Sequence, residues 1–253
     1  MADGDIVIAK QGELILPAPK NDGAAIVRNR IDAILAQLPM GVERGPWAAA
    51  AIAEANSVNA TPASIAGAIF NASFLGLTFG KALGHAHIVP FKGAAQLVIG
   101  YRGWIHLAYS TGYLSRVYSD VVCKGEGFEY WIDEMGPRLR HTPSLDRDPS
   151  RSDIVAAYCV YHTKDGGSGL KVVPRKEIDR SDKGRDVWQS NYAAMAMKTA
   201  ILRTAKFWNN TSRTAKAIEL DEQAERDEPQ TVDGLESDPL QTPRGIRLPK
   251  DEE

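Results

Sequence analysis

Between Ala55 and Ser119 the chain has no aspartate or glutamate, and between Val187 and Ile218 it again has none. With 32 acids in 253 residues, even scattering would put about 8 of them in the first window alone, so composition does not explain the gap. Two-metal nuclease chemistry needs carboxylates close together, and such a window is a poor place to hold them. Cysteine is scarce too: Cys123 and Cys159 lie in hydrophobic runs with no CxxC pair, which argues for buried thiols rather than a disulfide or a zinc site. No apolar run approaches the ~20 residues that span a bilayer. The start, MADGDIVIAK, lacks the charged opening and long apolar stretch of a secretion signal. A cytoplasmic protein with no membrane partner is therefore expected. Neither GxSxG nor HExxH occurs. Gly76-Leu-Thr-Phe-Gly80-Lys81-Ala82 has three residues between its glycines instead of four, and Ala where a phosphate loop needs Ser or Thr. It reads as a turn leaving a helix. His85 and His87 alternate along an expected strand with no third ligand nearby, so structural histidines are favoured over a metal site. No catalytic residue, metal or cofactor is expected.

What the acid-poor windows do contain is cationic: Lys81, Lys92, Arg102 and Arg116 in the first, then Lys198, Arg203, Lys206, Arg213 and Lys216 in the second. Residues 1–218 hold 26 Lys and Arg against 20 Asp and Glu, whereas residues 219–253 hold 4 against 12. The formal net charge of −2 thus hides a basic body and an acidic tail. Cations without local counter-charges suit a polyanion, because each phosphate they neutralise releases condensed counterions.

Hydrophobic periodicity orders the chain as helices, then strands, then helices, which predicts an α+β fold with a small, mostly antiparallel sheet. Residues 1–24 read as a loose arm, 25–218 as the folded domain and 219–253 as an acidic tail without stable structure. Helices are expected over Ile26–Leu38, Trp47–Glu54, from Pro62 (behind a Thr61 cap) to Leu75, and over Arg102–Ser110. AHIVPF and AQLVIG form one expected hairpin, IVAAYCVY and GLKVV another. Leu114–Val122 and Phe128–Ile132 are further strands. A long helix is expected from Val187 to about Trp208. At about 100° per residue it places Lys198, Lys206, Arg213 and Lys216 within one arc, with Arg203 further round and Met197, Ile201, Ala205 and Trp208 opposite. That predicts an open cationic face above a packed apolar one. Asn209-Asn210-Thr211-Ser212 is the alternative: it ends one helix and caps another.

The run LGLTFGKALGHAHIVPFKGAAQLVIGYRGWIHLAYSTGYL and the later WQSNYAAMAMKTAILRTAKFW resemble the RecT family of phage and prophage single-strand DNA annealing proteins, over roughly Ile26 to Ile218. The resemblance implies a β-β-β-α core flanked by helices. It also implies an ATP-independent protein of the bacterial host cytoplasm that coats single-stranded DNA, forms rings or helical filaments of its own copies, and pairs complementary strands through an annealed duplex intermediate. Its implied companions are a 5′→3′ exonuclease and the host single-strand-binding protein. Matched positions are Gln96, Tyr101, Arg102 and Gly103, then Lys198, Thr199, Arg203 and Lys206. Met197 and Phe207-Trp208-Asn209 depart from the family pattern. With the charge argument, the candidate DNA-binding residues are Lys92, Gln96, Tyr101, Arg102, Lys198, Arg203, Lys206 and Arg213. Lys92, Arg102, Lys198, Arg203 and Lys206 are the expected phosphate ligands. Gln96 either meets the DNA or satisfies buried backbone groups, and Gly100 and Gly103 mark close backbone approach. The rival functions are a strand protector that binds without pairing, a DNA-processing nuclease, and a sequence-specific DNA reader, against which the mixed sheet and scattered cations speak.

Overall fold

A computed structural model describes residues 16–230 apart from 81, 82, 183, 185, 209, 210 and 227. The amino-terminal half is helical: α1 (Asp22–Asn29), α2 (Ile31–Ala36), α3 (Arg44–Ser57) and α4 (Pro62–Leu75). The single helix expected over Ile26–Leu38 is broken at Arg30, whose φ of −110° is not helical. The start of α1 is fixed by Asn21, whose side chain accepts from Ala24 N at 2.8 Å and donates to the Ala55 carbonyl on α3 at 2.9 Å. The expected arm therefore ends before Asn21, and residues 1–15 of it lie outside the described part. Apolar almost all round, α4 is the central helix of this half. It opens on Pro62 and closes at Gly76 with φ +70°, as the glycine-turn reading required.

Strands β1 (Ala86–Phe91) and β2 (Ala94–Ile99) form the first expected hairpin, followed by α5 (Tyr101–Ser110). Then come β3 (Leu114–Cys123), β4 (Gly127–Asp133), β5 (Gly136–Thr142), β6 (Ile154–Thr163) and β7 (Ser168–Pro174). All pairings are antiparallel, in separate β1-β2, β3-β6-β7 and β4-β5 sheets. The expected long helix is instead α7 (Asp186–Ser190) and α8 (Tyr192–Ala205), interrupted at Asn191, with the short α6 (Arg175–Ser181) before them. Helix α8 lies across β3, β6 and β7, giving a β-β-β-α unit whose interior holds Ala157, Cys159, Ala196, Ala200 and Ile201 with no exposed surface. Both cysteines are buried thiols. Burial pushes the Cys159 thiol up to about 11, and Thr204 donates a hydrogen bond to its Sγ at 3.3 Å.

Beyond α8 the chain makes α9 (Ser212–Glu225), capped by the Thr211 side chain, so the Asn209–Ser212 alternative is the one realised. This corrects the boundary drawn at 218. Leu220 is fully buried, Asp221 and Ala224 nearly so, and the helix continues to Glu225 because that face packs against the body. Residues 228–230 then cross β2. The Gln230 side-chain amide accepts from Leu97 N at 2.6 Å and donates to Leu97 O at 2.9 Å, standing in for the peptide group of a neighbouring strand. The remainder of the expected tail, 231–253, lies outside the described residues.

Candidate nucleic-acid interface

The second acid-free window is not acid-free in space. Lys198 Nζ lies 2.6 Å from Asp221 Oδ1, with side chains only 10% and 6% exposed. Arg203 pairs with Glu177 of α6 at 2.8 Å, Lys206 with Glu222 of α9 at 2.8 Å, and Lys216 with Glu219 at 3.2 Å. Four of the twelve acids assigned to the tail, Glu219, Asp221, Glu222 and Glu225, thus belong to helix α9, and two of them pair with lysines of the α8 segment. The expected open face, which included Lys198, is corrected accordingly: Lys198 points into the α8–α9 seam. Arg213 donates from Nε to the Phe74 carbonyl at 3.0 Å, closing the last turn of α4.

These pairs are not equivalent. Lys206 and Glu222 are 53% and 39% exposed, Arg203 and Glu177 39% and 37%. Exposed pairs of this kind contribute about 0–1 kcal/mol, so a phosphate oxygen can take the place of either carboxylate. For the buried Lys198–Asp221 pair the same exchange would leave a desolvated carboxylate behind.

The GlyTyrArgGly segment sits at the start of α5. Arg102 is exposed and donates from Nε to the Tyr101 hydroxyl at 3.2 Å, which raises its pKa above the ordinary value. Close approach explains the glycines: a Cβ on Gly103 would stand 2.2 Å from the His85 carbonyl oxygen, and one on Gly100 2.7 Å from that of Gly84. Beside them His85 stacks on His106 with ring centroids 4.6 Å apart. Burial, then the neighbouring His106 and Arg102, push the His85 pKa down to about 4; burial lowers His106 as well. A histidine with a depressed folded pKa stabilises the fold above its unfolded value of ~6.5, and that stability is lost as pH falls toward 4. Thermal midpoints should therefore drop between pH 7 and 4, and drop less in His85→Gln. An identical profile in the variant would assign the loss to other groups. Among the described residues, no cluster of three or more His, Cys, Asp or Glu is arranged to hold a metal.

Lys92 stands exposed at the β1–β2 turn with φ +50° and its ammonium 4.9 Å from the Phe91 ring centroid. Gln96 is inside: it is 2% exposed and donates to the Glu228 carbonyl at 3.1 Å, so of the two readings left open it takes the backbone-satisfying one. The eight candidates therefore divide. Lys92, Tyr101, Arg102, Arg203 and Lys206 reach the surface, Lys198 and Gln96 hold the interior together, and Arg213 serves α4. Sequence alone could not separate them, because the partners Glu177, Asp221 and Glu222 are far away or on the supposed tail.

A second polar cluster joins the β4–β5 hairpin to the main sheet. His141 lies 3.1 Å from both Glu126 Oε2 and the Tyr158 hydroxyl, and Arg147 grips Asp120 with contacts of 2.9 and 2.8 Å. Burial works to raise the Glu126 carboxyl, but the Cys123 N–H, His141 and the Ser144 N–H hold it below the ordinary range. This is the chemistry of a clamp.

The RecT family model matches residues 47–233. The chain belongs to the RecT family. It is 35% identical to Protein RecT of Escherichia coli K12 over 197 residues, covering 72% of this chain and 70% of that one. It is 30% identical to the uncharacterised protein YqaK of Bacillus subtilis 168 over 175 residues, covering 65% of this chain and 58% of that protein. Membership places the chain among single-strand annealing proteins of recombination, the class to which its motifs pointed. The RecT match runs to residue 233 and so takes in α9 and the Gln230 contact with β2.

Proposed function

We propose that this protein binds single-stranded DNA and anneals complementary strands without ATP and without catalysing any covalent step. Several copies act together on the strand as rings or filaments, beside a 5′→3′ exonuclease and the host single-strand-binding protein, in the bacterial cytoplasm. The observation that carries the reading is family membership over residues 47–233. The surface chemistry supports it: Lys92 and Arg102 are exposed, and Arg203 and Lys206 hold carboxylates that phosphate can displace. Such cations grip the backbone and leave base edges free to find partners. Pairing and stacking of the new duplex supply the driving force.

With about four phosphate contacts per protomer at about 0.7 each, log K should fall with log salt at a slope near −2.8. That is roughly a fiftyfold loss of affinity between 50 and 200 mM salt. Fluorescence titration of labelled oligonucleotides measures it; a flat salt response would remove the cationic-contact model. Mixing two protein-coated complementary strands carrying a donor and an acceptor dye, with no nucleotide present, tests annealing. Binding without any gain in energy transfer over naked strands would leave a strand protector in its place.

A further inference from the structure

Four of the five tryptophans are buried: Trp47, Trp104, Trp188 and Trp208 are each 4% exposed or less. Phe207 is 60% exposed, directly before buried Trp208, where the chain turns after α8. Lys171 of β7 holds its ammonium 5.1 Å from the centroid of that phenyl ring. Phe207 also forms one wall of an open cavity of about 400 Å³ at the end of the three-stranded sheet, with Tyr113, Tyr161 and Asp165 among the other walls. Its volume lies within the ~300–1,000 Å³ usual for ligand sites.

The cavity is a product of the β6–β7 turn. Tyr161 faces Gly169 across the strands, and a Cβ on Gly169 would lie 2.5 Å from the Tyr161 hydroxyl oxygen. Only a glycine there lets the tyrosine lean over β7 and floor the opening. Asp165 is fixed by hydrogen bonds from Thr163 Oγ1, the Gly167 N–H at 3.4 Å and the Tyr113 hydroxyl at 3.5 Å. The Thr163 bond first, then the Gly167 N–H, lower its carboxyl below the ordinary range, so it is an anion at neutral pH. A fixed anion repels phosphate from the interior of the cavity. Aromatic walls and a carboxylate acceptor suit a nucleobase, which has a flat face and, in adenine, cytosine and guanine, an amino group. The phosphates flanking such a base would meet Lys171 and Lys206, one over the phenyl ring and the other its chain neighbour.

We propose that this cavity takes one unstacked base of the single strand, held against Phe207, with Lys171 and Lys206 on the adjoining backbone. The inference rests on the single-strand-binding reading above and adds a contact that the charge argument does not contain. Stacking on one aromatic side chain contributes enough that its removal typically costs about five- to a hundredfold in affinity.

The test compares an ordinary oligonucleotide with a fully abasic strand of equal length, using full-length protein and its Phe207→Ala and Phe207→Trp variants. Wild type should prefer the ordinary strand. Phe207→Ala should lose about five- to a hundredfold on that strand while binding the abasic strand as wild type does, and Phe207→Trp should restore the preference. Because Phe207 is exposed, circular dichroism of the variants should match wild type. If wild type binds neither strand, the single-strand-binding reading itself fails. If wild type binds both strands and Phe207→Ala keeps the full preference for bases, the base pocket is overturned. It is equally overturned if the only change is in the size of the protein's own assemblies, which would make Phe207 a contact between copies.

Discussion

Lys198→Ala should lower the stability of this protein by about 3–5 kcal/mol, the usual cost of leaving a buried charge without its partner. The side chains of Lys198 and Asp221 are 10% and 6% exposed and meet at 2.6 Å, so deleting the cation strands a carboxylate between α8 and α9. At roughly 2–4 °C per kcal/mol for a domain of this size, the thermal midpoint should fall by about 6–20 °C. Replacing both partners by apolar residues, Lys198→Met with Asp221→Leu, should recover most of the loss, since a buried pair and a well-packed apolar substitute are often nearly equal in stability. Arg203→Ala and Lys206→Ala should shift stability by no more than about 1 kcal/mol and act on DNA affinity instead. Thermal unfolding of the four variants beside single-strand titrations separates the roles. If Lys198→Ala melts with wild type and loses DNA, Lys198 is the phosphate ligand that its position in the sequence suggested, and its pairing with Asp221 is incidental.

Ending the chain at Ile218 should abolish the native fold, whereas ending it at Gln230 should preserve it. The shorter truncation removes Leu220, Asp221 and Ala224, all buried, together with the Gln230 bonds to Leu97. Burying a leucine contributes about 1.5–3 kcal/mol, and the loss of Asp221 leaves Lys198 uncompensated in the seam. Against a total stability of about 5–15 kcal/mol, these losses together are enough to unfold a domain. Ending at Gln230 removes six acids and three cations. That should keep the melting curve and preserve or slightly raise single-strand affinity at low salt, with the difference shrinking as salt screens it. Circular dichroism and titration at two salt concentrations suffice. A stable, native chain ending at Ile218 would show that α9 does not hold the body together.

Much of the framework was legible because local chemistry announces it. Thr61-Pro62 and Gly76 bracket α4, and alternation with a short turn marks β1–β2 and β6–β7. Strand β5 was missed because it is half exposed along its length and so carries no apolar alternation. Asn191 interrupts α7 and α8 inside one hydrophobic pattern, which periodicity reads through. The candidate site was legible as residue types and as a family motif, but its geometry was not. An acid-free stretch says nothing of which carboxylates fold onto it, and here Glu177, Asp221 and Glu222 arrive from α6 and α9. The cavity beside Phe207 combines the end of α8 with a turn some forty residues earlier, a proximity that spacing along the chain does not encode.

The Gln230 contact has a consequence for solubility. A β-strand with an open side is a template on which another chain can add, and a hairpin as short as β1–β2 has little to discourage it. A side-chain amide satisfies the Leu97 N–H and carbonyl as a peptide would, but it has no backbone of its own to continue the ladder. Growth of that sheet therefore stops at Gln230. A neighbouring chain is thereby kept from adding a strand at this edge.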